Sequence, residues 1–506
     1  MRWCDCGWRR PLTGGLLLGA ALLLAGRAAA GGDRAWELSL EEAVYSAVEH
    51  NPALQAERLG PVVAGTFEQI ELGVFDPEGF GELTYDQQRG DELDRRTGAR
   101  FDLEEDRAQL SLGLRQRTPL GFEWEASISQ RFDDSDRSEV ELHRTRAGVS
   151  LSQQLLQGRG REVNLVSLRQ AELETLRSGH ELQGFAQQLV ADVESAYWEF
   201  SLADREIAIF EESLKLAEQE VERAEQRVEL GDLAETELAP LESEAALRRQ
   251  ELIDARSRRE SARLELLRLI GSEDQLQEDR EIEPLTDPER LVVEPDPVAE
   301  HLALALERRP ELNQARLDLR SENLQVTRTR NGLLPELELF IQLGSSGYAD
   351  SFSGAPRDLD GSSYDAQVGI SLGRSLTNRA PEAEHRQALT LRNQANLSLS
   401  NMARLVRHDV RTAHLELQRA AAQIEASRAT RRAREEQVRA ADERFRAGDA
   451  TAFAVVQAQR DLLESRINEA AAQVEYRTAL VELYRLDGTL LERRGIQAAA
   501  EDVATR

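Results

Sequence analysis

Residues 382–447 contain neither proline nor glycine. The stretch is rich in Ala, Leu, Glu, Gln and Arg, all strong helix formers. A single helix of that length rises about 100 Å at 1.5 Å per residue. Its apolar stripe is narrow and begins at Leu405, Val406, Val410, Ala413, Leu415 and Leu417. Other turns, such as Arg431-Arg432 and Arg434-Glu435-Glu436, are wholly charged. A narrow stripe between charged flanks suits a coiled-coil-like seam rather than a helix buried all round.

The same pattern occurs earlier. Glu162 to Leu230 is free of proline and predicts a second long helix, ended by Gly231. The two stretches align at one offset of 217 positions. Ala196-Tyr197 falls on Ala413-His414, Gly231-Asp232 on Gly448-Asp449, and Gly271 on Gly488. The chain is therefore an internal duplication, and a repeat constrains the fold before any local signal does. Each repeat opens alike. Ser39 with Glu42 predicts a capping box, and Asn51-Pro52 stops one helix and starts the next. Asp296-Pro297 and Arg309-Pro310 do the same in the second half. Pro52 and Pro310 lie 258 apart, so the first repeat carries 41 residues more than the second.

The excess falls where the pattern turns from helical to alternating. Leu337, Leu339, Ile341 and Leu343 alternate with polar positions, as do Val368, Ile370 and Leu372. In the first repeat Leu83 and Tyr85 start such a strand, and Ala147, Val149 and Leu151 continue another. Between them Leu110, Leu112 and Leu114, then Phe122, Trp124, Ala126 and Ile128, form a hairpin turned by Thr118-Pro119-Leu120-Gly121. Segments of about 9–11 residues with one apolar face carry the signature of membrane-crossing β-strands. A soluble sheet with one wet face gives the same alternation. Trp124, Phe122, Tyr85, Tyr348 and Tyr364 are candidates for an aromatic girdle at the membrane surface. Six strands cannot enclose a pore alone, so a channel needs several chains around one barrel.

The remaining features narrow the function classes. Arg9 and Arg10 precede an apolar stretch, Leu16 to Ala25, and the small residues Ala28-Ala29-Ala30, which predicts a secretory leader over 1–30. The only cysteines, Cys4 and Cys6, lie in it, so the expected mature chain has no thiol chemistry. The formal net charge of −29 argues against nucleic acid as a partner. Seven histidines form no H-E-x-x-H pair, and the one lysine, Lys215, leaves no phosphate-cradling loop. No enzyme activity, metal or cofactor is expected. Energy for any transport must come from a partner.

These residues resemble the TolC family of outer-membrane efflux proteins over nearly all of the mature length. The likeness rests on Ser39-Leu40-Glu41-Glu42-Ala43 through Asn51-Pro52, on Arg309-Pro310-Glu311-Leu312, and on the passage from Leu151 to Gly158 and Gly160. It rests also on Arg444-Phe445 with Gly448-Asp449, followed by Ala458-Gln459 and Leu462-Leu463. The resemblance implies a mainly α chain with transmembrane β-strands. It implies a homotrimer whose shared β-barrel, in outer-membrane lipid, is continued by a long periplasmic α-helical barrel. The implied function is passive conduction in a tripartite efflux pump or type I secretion system, with a periplasmic adaptor protein and an inner-membrane transporter as partners. The adaptor would dock at the helix tips, Arg227, Gly231, Asp232 and Leu233 with Arg444, Phe445, Gly448 and Asp449. A soluble periplasmic adaptor or structural protein without a pore is the other reading.

The implied organisation is a leader 1–30, opening helices 31–75, strands 76–157 with an extra hairpin 108–133, and long helices 158–271. A linker 272–296 follows, then opening helices 297–332, strands 333–377, long helices 378–488 and a tail 489–506. The family pattern is departed from in three places. The hairpin adds two strands to the usual two per repeat, which gives six per chain and eighteen per trimer, or else a hairpin outside the membrane. Ala454 and Gln457 stand where some members place an acidic entrance ring, so Glu237 and Asp449 are the remaining gate candidates, against a plain role as carboxylates at a helix start. The second strand-to-helix passage, Ser375 to Pro381, lacks the usual glycine pair.

Overall fold

A computed structural model describes residues 36–93, 98, 100–135, 142–271, 281–288, 296–360 and 362–496. The expected leader with Cys4 and Cys6 lies outside these residues, as do much of the linker and the end of the tail. The chain opens with β1 (Trp36–Leu38), α1 (Leu40–His50), α2 (Pro52–Glu57) and α3 (Gly60–Gly73). Ser39 caps α1 in the expected box: the Glu42 N–H donates to Ser39 Oγ at 3.2 Å, and the Ser39 N–H to Glu42 Oε2 at 3.0 Å. Asn51 caps α2 from its side chain, with Pro52 in the first turn.

Four strands follow: β2 (Glu78–Leu93), β3 (Arg100–Arg117), β4 (Phe122–Ser135) and β5 (Leu142–Gln154). A short turn, α4 (Arg161–Asn164), leads into α5 (Val166–Glu229), which returns through α6 (Leu238–Ile270). Leu165 separates α4 from α5, so the long helix starts later than the proline-free stretch does. The expected linker contains β6 (Ile282–Pro284), which pairs in parallel with β1. The second repeat holds α7 (Val298–Arg308), α8 (Pro310–Asn331), β7 (Glu336–Ala349) and β8 (Tyr364–Gly373). It ends with α9 (Arg379–Arg446), α10 (Ala452–Leu486) and α11 (Leu490–Arg493). The two long helices thus span 64 and 68 residues and end 217 positions apart.

Beside the strands, α3, α5, α8 and α9 pack side by side in that order. Farther out the order is α6, α5, α10 and α9. The layer is therefore four helices wide throughout. Its main core lies near the middle of α5 and α9, where Tyr197, Trp198, Phe200, Leu266, Leu417 and Tyr476 are almost fully buried. Tyr197 ties the small parallel sheet to this core: its hydroxyl donates to Leu38 O and accepts from the Thr286 N–H, both at 3.0 Å. Arg494 closes the C-terminal end with two contacts of 2.5 Å to the fully buried Glu194 carboxylate.

The glycines at the two tips are built alike. Gly231 has φ +77° and Gly448 φ +81°, a region that costs other residues about 1–2 kcal/mol. The Asp232 N–H donates to Arg227 O at 2.9 Å, and the Asp449 N–H to Arg444 O at 2.8 Å, so both helices end in the same Schellman turn. The third aligned pair diverges. Gly488 has φ +79°, whereas Gly271 is extended at φ −81°. In the second strand-to-helix passage Asn378, at φ 46°, takes the left-handed position that Gly158 and Gly160 take in the first.

Candidate functional site

The strands β2, β3, β4, β5, β7 and β8 form one antiparallel sheet in that order. The hairpin read as 108–133 is larger, running from Arg100 to Ser135, and it lies inside the sheet between β2 and β5. β8, at 10 residues, matches the expected 9–11, and the other five strands, at 13 to 18, exceed it. The alternation marks only the stretch with an apolar face. Beyond Tyr85 and before Ala108 the pairing continues through Asp86, Gln87, Arg107 and Asp106, where no apolar pattern exists to reveal it.

Register assigns each side chain to a face. Gly79, Leu114, Ala126, Val149, Leu343 and Ala366 form one cross-sheet row. The next rows hold Leu112 with Ile128, and Leu151 with Ile341 and Val368. Leu83, Val368, Ile370 and Leu372 are each at least 68% exposed, so most of this face is bare, and only toward its far end does the β7–β8 loop cover it, where Gln130 Nε2 donates to Phe352 O at 2.6 Å. An apolar surface this broad requires lipid or a partner. Phe122 and Trp124 sit at its margin nearest the helices, and Tyr85 and Phe132 at the far margin. Trp124 Nε1–H donates to Gln116 Oε1 at 3.1 Å. Tyr364 is also on this face. Tyr348 is not: it lies on the opposite face with Arg144, whose guanidinium covers its ring at 5.4 Å.

That opposite face is polar. Arg115 pairs with Glu78 at 2.8 Å, Arg117 with Glu123 at 3.1 Å and Arg146 with Asp365 at 2.5 Å. Two phenylalanines lie flat upon it. A Cβ on Gly113 would fall 2.6 Å from the Phe80 ring, and one on Gly369 2.3 Å from the Phe340 ring.

The turn of the inner hairpin is anchored at the junction with the helices. Asn164 Nδ2 donates to Pro119 O at 3.1 Å and to Gly158 O at 2.8 Å, and the Gly160 N–H donates to Leu120 O at 3.1 Å. Gly121, at φ +77°, comes so close that a Cβ there would fall 2.4 Å from Gly158 O.

At the far end the two tips of one chain pack together. Ala224, Leu241, Ala452 and Val456 are buried, with Val221, Leu233 and Phe445 against them. The Arg227 guanidinium lies over the Phe445 ring at 5.4 Å. Gly231, Asp232, Arg444, Gly448 and Asp449 are exposed. Glu237 points sideways: its Oε2 accepts from the Ala452 N–H at 3.1 Å and so caps α10 across the repeat boundary. Close by, burial pushes the Glu220 carboxyl up, and the Arg223 charge opposes it. Three residues escaped sequence reasoning, Glu244, Arg248 and Arg460. Glu244, on α6, is 2% exposed and binds Arg248 at 2.5 Å and, across to α10, Arg460 at 2.5 Å. Their partners come from different turns and repeats, so no local pattern marks them.

Among the described residues no cluster of His, Cys, Asp and Glu is arranged to hold a metal ion. His301 is a packing residue: its Nδ1 pairs with the buried Asp487 at 2.7 Å. No described helix is long and apolar enough to cross a membrane.

The family profile described as outer membrane efflux protein matches residues 98–272 and 302–489. A search of curated proteins finds no match. Among solved structures, the Campylobacter jejuni CmeC outer membrane channel has a TM-score of 0.67 at 14% identity, covering 92% of this chain and 88% of that one. The outer membrane protein VceC of Vibrio cholerae gives 0.66 at 15%, covering 89% and 96%. The open state of the Neisseria gonorrhoeae MtrE outer membrane channel gives 0.64 at 18%, covering 89% of each chain. At these identities the structures speak for the fold, and the profile, matched over most of the sequence, speaks for the family. The chain belongs to the outer membrane efflux protein family: it is an efflux channel of the outer membrane whose helices extend into the periplasm.

Proposed function

We propose that three copies of the chain share one barrel in the lipid and enclose one periplasmic tunnel. Channels of this family are trimeric and work with adaptor and inner-membrane pump partners. In this reading a periplasmic adaptor docks at the tips, around Arg227, Leu233 and Phe445 and the exposed Gly231, Asp232, Arg444, Gly448 and Asp449. An inner-membrane transporter supplies the energy and hands over the cargo, an exported solute or protein, which then passes by diffusion.

The observation that carries this reading is the six-stranded sheet with one exposed apolar face and two unpaired edges. Unpaired edges are untenable in lipid and disappear only on closure. One chain cannot close usefully, because even eight strands leave an interior that side chains fill. Here that interior would crowd Glu78, Arg115, Arg117 and Glu123 together. A cyclic ring of copies pairs every edge. A soluble adaptor would leave the apolar face in water, which disfavours that alternative. The capping contact from Glu237 to α10 favours a structural role for this carboxylate over a gate.

Docking is tested by Asp232→Arg combined with Asp449→Arg. Both side chains are exposed at the tips, so folding should be spared. Export should fall about tenfold or more through charge mismatch, with trimer yield and bilayer conductance unchanged. Undiminished export would show that the partner binds elsewhere.

A further inference from the structure

The sheet and the helical layer of one chain have the same width, and this bears on the shape of the conduit. Four helices side by side, spaced 8–10 Å, occupy about 32–40 Å. Six strands spaced about 4.8 Å and tilted about 40° from the axis occupy about 38 Å around a barrel. Four strands would occupy only about 25 Å by the same geometry. The inner hairpin, Arg100 to Ser135, supplies the difference.

Three further observations place that hairpin in the wall. It is paired on both sides, β3 to β2 and β4 to β5, over nearly its whole length. Its turn is bound to the strand-to-helix junction through Asn164 and Gly160. Its Leu112, Leu114 and Ile128 continue the apolar face of its neighbours in register. The free edges are also compatible. The strand β2 runs away from the helices and β8 runs toward them, so β8 of one copy meets β2 of the next as an antiparallel neighbour.

We propose that the barrel has eighteen strands and continues the tunnel through the membrane without narrowing. The proposal rests on the trimeric reading above. Eighteen tilted strands enclose a backbone diameter of about 35 Å, and twelve helices give about the same between axes. The polar face leaves that space open. Gly113, Ser127, Gly148 and Gly344 form one row across four strands, and nothing longer than a serine projects from it there. Phe80 and Phe340 lie along the wall over Gly113 and Gly369 instead of standing out from it. A lumen of this kind does not sieve cargo at the outer membrane.

The test counts strands in the detergent-extracted full-length protein by single-particle electron microscopy, and sizes the exterior mouth with non-electrolyte polymers in a planar bilayer. Eighteen strands, with each β8 beside a β2 of the next copy, are expected. A variant lacking residues 100–135 keeps β2 and β5 antiparallel, and it should exclude polymers about half as wide as those the full chain admits. A conducting trimer with twelve strands and the hairpin outside the wall overturns the proposal and leaves the trimeric reading standing. The same polymer limit in both proteins, with both trimers assembled, also overturns it. A non-conducting monomer overturns both.

Discussion

Gly231 and Gly448 each hold a long helix's end in a left-handed turn, and neither has an atom within 4 Å of where a Cβ would stand. Substitution there costs conformation and not space. Gly231→Ala with Gly448→Ala should therefore loosen each turn by about 1–2 kcal/mol. Amide exchange at the tips should quicken about 5- to 30-fold, with the middle of the helices unaffected; unaltered exchange would mean the turns are not held by these residues. This pair was legible because positive φ at a helix end calls for glycine, whatever surrounds it. The Glu237 cap on Ala452 was not. The two residues lie 215 positions apart, and Ala454, which aligns with Glu237, carries no acid to hint at a shared role. Asn378 marks the intermediate case. The missing glycines of the second passage were plain to read, but that asparagine supplies the left-handed residue emerges only from its φ of 46°.

Long helices announce themselves through the absence of proline and the recurrence of one narrow stripe, so α5 and α9 were readable almost to their ends. Strands announce only the part that has two unlike faces. The apolar rows between Trp124 and Tyr85 were therefore visible, and the polar extensions toward Leu93 and Arg100 were not. The three-residue strands β1 and β6 have no room for alternation, and they are tied together by Tyr197, far away in sequence, whose hydroxyl joins Leu38 to Thr286. The inner hairpin could be read as an element, but the choice between joining the sheet and folding outside it stayed open, because pairing partners are a tertiary fact. Its turn is where it is most exposed to damage. Gly121→Ala would combine a disfavoured φ of +77° with a Cβ 2.4 Å from Gly158 O. The junction must then part, and the variant should reach the membrane as a trimer that dissociates at lower temperature in detergent. Wild-type thermal dissociation would show that the turn is not an anchor.

At the scale of the whole molecule, a duplicated chain with a formal net charge of −29 and no membrane-crossing helix among its described residues still belongs in lipid, because one face of one sheet is enough to meet it. The remaining bulk is helix in water, held by a narrow core and by many arginine–carboxylate pairs. That division explains why composition alone pointed away from a membrane. It also explains why the offset of 217 was the better guide: a repeat that opens with short helices, turns to strands and returns in a long helix has few ways to bury its faces. The most direct measurement is of conduction. The mature protein, extracted from the outer membrane in detergent and added to a planar lipid bilayer, should be a trimer and should open stable, ion-conducting steps. A monomer that leaves the bilayer insulating would contradict the account.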